Sequence, residues 1–464
     1  MSEKQEEIGT VISNPEGPSP SQVDFVVMNG KVHRGQFVEI PYSEGTLIGM
    51  VTNVLKTNKY FERADAVKEF EIQGTKLFEQ FPVHDWEYVM AQTTPLGVFT
   101  SDRRIKRTTF PPSPGSKVFN AQPEHIVQFL GFDEEKGLHL GKLEFHPVDV
   151  KINMSKLLQK HLAILAMSGA GKSVACSDII EEILSRKKEH GRIAIVVFDV
   201  HGEYTNFAEP VTDSKYTDYS GKTRLIRARD LRIGVSKITP GMFAALLPNA
   251  SAPKKRELGK VIQKLQQKMK DGQGPYDLND IKGELLSEMG GKDTKESVIT
   301  ALIGWLYELD ELQLFGKADN PSLLDLVQPG ILTVVDLSDI IHQKKKQVIV
   351  SYLAQRLFYE RRAKRIPPTT IVLEEAHNFI PNQINKEGSI TKGIMRTIAR
   401  EGRKFGVSLC LISQRPIQLD TTTLSQCNTQ LLLRITNPYD IKHIGESAEG
   451  LSAESLGMLT SLRV

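Results

Sequence analysis

The sequence predicts an α/β fold: a buried parallel sheet wound with helices, preceded by a small antiparallel barrel or sandwich and interrupted by a helical insertion. Three observations carry this. Wholly apolar runs, among them Ile193–Val200, Thr369–Leu373 and Val407–Ile412, alternate with amphipathic helical stretches, the texture of strands buried on both faces in α/β units. The first part of the chain instead shows short runs at period two broken by turn residues. Between these regions' signals lies a Gly-rich turn that joins an apolar strand, His161–Met167, to a helical stretch, Ser173–Lys188.

Composition sets the bounds. With 464 residues, 40% hydrophobic and 25% charged, the chain reads as an ordinary globular protein, which sets aside disordered and fibrous classes. Lys plus Arg number 59 against 56 for Asp plus Glu, a formal net charge of +3. A protein coating the outside of DNA is usually more basic, so affinity for a polyanion has to come from cations gathered in one place, such as the pore of a ring. Cys176, Cys410 and Cys427 make no Cys-x-x-Cys pair, so neither a zinc nor a disulfide framework is read and a cytoplasmic location is expected. No apolar run approaches the roughly 20 residues of a membrane helix, and no membrane association is expected.

Residues 1–21, polar and acidic with Pro15, Pro18 and Pro20, lack a signal-peptide pattern and are expected to form a disordered tail. Residues 22–150 form the barrel or sandwich: Val23–Met28, Gln36–Pro41 and Thr46–Val54 alternate, Trp86–Thr93, Gly97–Thr100 and Ser116–Val118 add strands, and Phe61–Lys76 reads as a helix. Residues 151–464 form the α/β core, with further strands at Ile331–Leu337 and Leu431–Ile435 and helices at Gln347–Arg362 and Thr391–Phe405. At about 227–326 the sequence turns helical and Lys-rich, through Lys254–Leu265 and Ser297–Leu312, as an insertion on the sheet.

Ala166-Met167-Ser168-Gly169-Ala170-Gly171-Lys172-Ser173 follows a strand and opens a helix, the context a phosphate-binding Walker A loop requires. Backbone amides from Ser168 to Val174 are expected to cradle phosphate oxygens at the positive end of the helix. Gly169 and Gly171 permit close approach, Lys172 neutralises β/γ charge, and the Ser173 hydroxyl ligates Mg²⁺. The pattern's first glycine is Ala166, tolerable where φ is negative. A chance Gly-Lys-Ser is the bland alternative, against which strand, glycines, Lys-Ser and helix all fall in register.

Thr369–Leu373 ends in Glu374-Glu375. An apolar strand ending in acids beside the phosphate-loop strand is the Walker B arrangement, with Glu374 assigned to the metal and Glu375 to polarising the attacking water; the alternative is a pair that caps the next helix. Ser413-Gln414 stands at another strand tip, where Gln414 either senses the γ-phosphate or caps. Arg403, near the end of Thr391–Phe405, is either a solvated complement to the helix dipole or a finger reaching a neighbouring subunit. His201 and Glu203, after Ile193–Val200, are read as lining the site, with ordinary polar loop residues as the alternative. His161 and His377 are read as structural.

These motifs, His161–Ser173, Phe198–Tyr204, Glu374–His377, Ile398–Gly406 and Ser413–Pro416, together resemble HerA, the hexameric DNA-translocating ATPase family of the HerA/FtsK superfamily. The resemblance implies a RecA-like P-loop ATPase core with a HAS-barrel-like N-terminal domain, and Lys172, Ser173, Glu374 and Glu375 for MgATP. It further implies Gln414 as sensor and Arg403 as a group acting in trans. A second trans-acting Arg of the family falls at Lys160, which keeps the charge but not the bidentate fork. As partners the resemblance implies a homohexamer, double-stranded DNA in its central pore, and a NurA-like nuclease or other effector, serving DNA end processing or phage defence. The rival expectations are a superfamily ATPase that moves protein and a nucleotide-dependent assembly scaffold.

Overall fold

The computed structural model describes residues 6–13, 17–58, 61, 68, 72, 87–100, 102, 104–247, 249–289, 296–382, 389–448 and 450–462. The chain divides into two compact units between Ile152 and Asn153.

The first unit is a barrel of β1 (Glu7–Val11), β2 (Val23–Val27), β3 (Phe37–Tyr42), β4 (Gly45–Asn58), β5 (Glu87–Phe99) and β7 (Lys117–Asn120), with β6 (Ile105–Lys106) extending β5. Its order is β2-β1-β7-β3-β4-β5, and antiparallel pairing of β2 with β5, Val23↔Thr93 through Val27↔Val89, closes it. Every second residue points inward, so Val23 and Phe25, Val38 and Ile40, Leu47, Val51 and Ala91 are fully buried together.

Two expectations change here and a third is not tested. The segment 1–21, expected to be disordered, supplies β1, whose Ile8 and Val11 are buried in the barrel core. Gly9 is required there, because a Cβ would meet the Val26 carbonyl oxygen at 2.3 Å. The runs Trp86–Thr93 and Gly97–Thr100 are one strand, β5, which crosses Pro95 opposite a register shift at Ile48/Gly49; a bulge accommodates the missing N–H. The expected helix Phe61–Lys76 lies outside the described residues apart from Phe61, Lys68 and Ile72. A helix, Pro123–Leu130, and the hairpin β8 (Leu138–Lys142) and β9 (Asp149–Ile152) complete the unit.

The second unit is built on β10 (Leu162–Leu165), β11 (Ala194–Asp199), β12 (Thr223–Arg227), β15 (Leu332–Asp336), β16 (Thr369–Leu373), β17 (Val407–Ser413) and β18 (Thr429–Leu432). They form one sheet in the order β12-β15-β11-β16-β17-β10-β18, parallel throughout. Each strand from β10 to β17 in this order's centre is buried along its whole length, which is why these read as unbroken apolar runs. All C-terminal ends share one rim.

A short parallel pair, β13 (Ile233–Gly234) with β14 (Phe315–Gly316), brackets the insertion. Between them lie helices Pro240–Leu246, Ala252–Lys268, Leu278–Ser287 and Glu296–Asp310. In Ala252–Lys268 the buried Leu258, Val261, Ile262 and Leu265 recur at helical spacing and join the same core as the sheet.

Candidate active site

The rim's first component is the loop after β10. Gly169 and Gly171 have φ of 76° and 87°, in the left-handed region, and a Cβ at either would meet nothing within 4 Å. The backbone conformation needs glycine, and the space above it is open, so a ligand can approach the amides directly. Helix Lys172–Ser185 begins at Gly171 with no side chain capping its first amides and no acid in its first turn, which leaves donors and dipole directed at an anion. Ala166 is fully buried and outside the left-handed region, so its methyl group is accommodated. Lys172 Nζ donates to the Met167 carbonyl at 3.3 Å. Ser168 is exposed, Ala170 is buried, and the Val174 side chain is 66% exposed, so Val174 contributes to this loop through its backbone.

The second component is the acid-bearing tip of β16. It does not adjoin β10 as expected: β17 lies between them, and the Ser413-Gln414 tip therefore stands between phosphate loop and acids. Glu375 has φ 46° and ψ 47°, a left-handed conformation uncommon for a residue with a side chain and typical of functional sites. It is buried, and its Oε2 has no hydrogen-bond partner among the described residues. His377 Nδ1 lies 3.2 Å from that oxygen but is directed to Ser413 Oγ at 3.1 Å; burial holds the His377 imidazole neutral, down to about 4. Burial also raises the Glu375 carboxyl, an effect opposed by the nearby charges of Lys172 and His201 and by a hydrogen bond from Gln414.

Glu374 Oε2 accepts the amides of Val200 at 2.6 Å and His201 at 3.1 Å. The sequence reading gave Glu374 to the metal; in this structure that oxygen ties β16 to the end of β11. Burial first, then Asp199, push the Glu374 carboxyl up to about 8. Asp199, fully buried, accepts from Gly202, Glu203 and Tyr204 amides at 2.7, 3.1 and 2.9 Å. It folds the 199–204 turn and brings Glu203 against Ser173, whose hydroxyl donates to it. His201 is exposed on the same turn. The sequence reading missed Asp199 and the Ser173–Glu203 contact, since the turn residues carry no motif that specifies which side chain folds it.

Arg403 sits elsewhere. It lies in the last turn of helix Lys392–Phe405, exposed, with no hydrogen-bond or ion-pair partner among the described residues. This helix leads into β17 from its N-terminal end, so a strand of seven residues, about 20 Å, separates Arg403 from the rim. Lys160 is exposed just before β10, at the same far edge.

His161 joins these parts. Its Nδ1 accepts the Leu409 amide at 2.9 Å, which makes Nε2 the donor to the Ala399 carbonyl at 3.0 Å. Burial holds it neutral, down to about 4. Asn tolerates its left-handed φ of 63° but not both bonds, so His161→Asn is expected to lose about 1–3 kcal/mol at pH 7. Because the unfolded imidazole titrates higher, the native His161 contribution is complete above about pH 6.5 and is lost toward pH 4, by up to about 1.4 kcal/mol per unit. Urea melts should show the gap between the two proteins narrowing over that range; a constant gap would exclude this role.

A phosphate loop, a buried row of acids and a polar strand tip on one rim of this parallel sheet define a RecA-like P-loop ATPase. Residues 138–357 match the family described as Helicase HerA, central domain. The chain is similar to the DNA double-strand break repair helicase HerA of Saccharolobus solfataricus, with 28% identity covering 98% of this chain and 88% of that protein. With HerA of Pyrococcus furiosus the identity is 27%, covering 94% and 84%. Among solved structures, VirB4 of Thermoanaerobacter pseudethanolicus shares the fold, with TM-score 0.55 and 15% identity over 72% of this chain and 93% of that one. Over most of its length the chain thus resembles the HerA helicases.

Proposed function

We propose that this protein is an ATP-driven DNA translocase or helicase that works as a homohexameric ring, with ATP held between subunits and double-stranded DNA in the central pore. The observation that carries the reading is the pairing of an open phosphate cradle with an orphaned, backbone-strained carboxylate, Glu375 Oε2, beside Gln414. Lys172 and the loop amides bind and orient the triphosphate. Glu375 accepts hydrogen bonding from the attacking water and orients it, Gln414 contacts Glu375 and reports the γ-phosphate, and Arg403 of one subunit completes a neighbour's site.

The residues also fit Mg²⁺. Among the described residues no group of three or more acidic, His or Cys side chains could hold a metal alone, and Mg²⁺ is commonly held by one or two protein oxygens together with phosphates. Ser173 would hold it, with Glu374 or Glu203 as the nearby acid. When bound it neutralises phosphate charge.

The names of the HerA relatives support DNA as the track, and a NurA-like nuclease or another effector is the proposed partner, in DNA end processing or phage defence. No described helix is long and apolar enough to cross a membrane. Lys254, on the first turn of Ala252–Lys268, lines a cleft of about 620 Å³ with Lys344 and Trp305, and is a candidate contact for phosphate together with Lys255 and Arg256.

Duplex DNA is expected to raise the ATPase rate of the assembled oligomer. The binding should weaken steeply with salt, since each neutralised phosphate adds about 0.9 to the log–log slope, and show little sequence preference. A flat salt response, or a rate indifferent to DNA but raised by a protein partner, would move the reading to a protein-moving ATPase.

A further inference from the structure

Asp336, Asp199 and Glu374 end three adjacent strands at one level: Asp199 pairs with Asp336, and Phe198 pairs with Leu373, the residue before Glu374. All three are buried. The hydrogen bonds that reach them are neutral, from backbone amides and, for Asp336, from the amide and hydroxyl of Ser338 at 2.9 and 2.6 Å. Buried carboxylates side by side disfavour one another's ionised forms, and a cation nearby favours them. Lys172 lies on the phosphate-loop side and faces Glu375.

A second cation interacts with the row. Lys346 stands in the first turns of helix Gln343–Arg362, which follows β15, and only 9% of it is exposed, rare for lysine unless it is paired. Its electrostatic partners are Glu374 and Asp336, yet it forms no hydrogen bond or close ion pair among the described residues. The same turns are fastened on their other side. Gln343 and Gln347 Nε2 donate to the Asn378 carbonyl at 3.1 and 3.2 Å, three residues beyond Glu375. Lys344 Nζ reaches Glu308 of the insertion at 2.8 Å.

We propose that Lys346 is a positioning residue of the nucleotide site: its charge orients Asp336 and Glu374, and the bonds of Gln343 and Gln347 to Asn378 fix that charge relative to the loop after Glu375. This rests on the ATPase reading. Lys346 acts through the acids and not on the phosphates, and its helix joins the acid row to the insertion.

Lys346→Met keeps the length and apolar stem and removes the charge; Lys346→Arg keeps the charge. Lys346→Met is expected to lower kcat by about 10–100-fold with ATP affinity and thermal midpoint little changed, and Lys346→Arg to recover part of the loss. Wild-type kcat in Lys346→Met, or equal loss in Met and Arg variants, would overturn the proposal. If Lys346→Met does not fold, the exposed Gln343 and half-buried Gln347 carry the test as Gln343→Ala/Gln347→Ala, with a lowered kcat at unchanged ATP affinity expected and an unchanged kcat overturning it. A wild-type protein that binds but never hydrolyses ATP overturns the reading of the site itself, a result separate from the behaviour of the Lys346 variants.

Discussion

Replacing Glu375 with Gln is expected to lower ATP turnover by about 10²–10⁴ while ATP binding is retained. The substitution keeps the shape of the side chain, and Gln meets the same strain at φ 46° as Glu does, so the loop has no reason to rearrange. What is removed is the one carboxylate oxygen at the rim that is buried without a hydrogen-bond partner among the described residues. Asp199 has both oxygens and Glu374 has Oε2 occupied by backbone amides of the 199–204 segment, so neither is as free as Glu375 to orient a water. The phosphate cradle and Lys172 are untouched, so nucleotide should still bind. Phosphate release and direct ATP-binding measurements separate the two effects. Lys172→Ala is the contrast, expected to weaken binding and turnover together. Hydrolysis by Glu375→Gln at near the wild-type rate would show that another group orients the water.

The difference between what could and could not be read beforehand follows from where each signal resides. The phosphate loop is local: its strand, glycines and helix are contiguous, so Gly169, Gly171 and Lys172 were legible. The central strands were legible because burial on both faces demands unbroken apolar runs. β1 was not, because Ile8 and Val11 are only two buried apolar side chains in a polar setting, and their reward comes from strands far along the chain. β12 was missed for a related reason: at the sheet edge, with one parallel neighbour, Thr223–Arg227 is mostly half-buried. The order of the sheet was also hidden, since nothing in Thr369–Leu373 or Val407–Ile412 says which of them adjoins β10. That one fact puts Gln414 between the acids and the phosphate loop. His161 was correctly read as structural, but its bonds to Ala399 and Leu409 join segments more than 200 residues apart and no local pattern encodes them.

Mixing Arg403→Ala subunits with Glu375→Gln subunits is expected to restore activity that neither variant has alone. Arg403 has no partner among the described residues of its own subunit, and β17 holds it about 20 Å from the rim that carries Glu375. A cation so placed cannot stabilise charge in its own site. In the proposed ring, a head-to-tail arrangement would bring the far edge of one subunit to the rim of the next. A finger of this kind contributes about 10³–10⁵ in rate, so Arg403→Ala alone should be nearly inactive, with ATP affinity close to wild type. Each variant then damages one side of every interface. Where an Arg403→Ala subunit supplies Glu375 and its neighbour supplies Arg403, the site is whole; random assembly from equal amounts makes about a quarter of head-to-tail interfaces so. If Arg403 acted within its own subunit, no site in a mixed ring would be whole. Phosphate release across a series of mixing ratios decides the matter, with co-assembly verified by pull-down of differently tagged subunits. Recovery that peaks near equal mixing is the expected result. Mixed rings as inactive as either parent, despite verified co-assembly, would remove Arg403 from the neighbouring site.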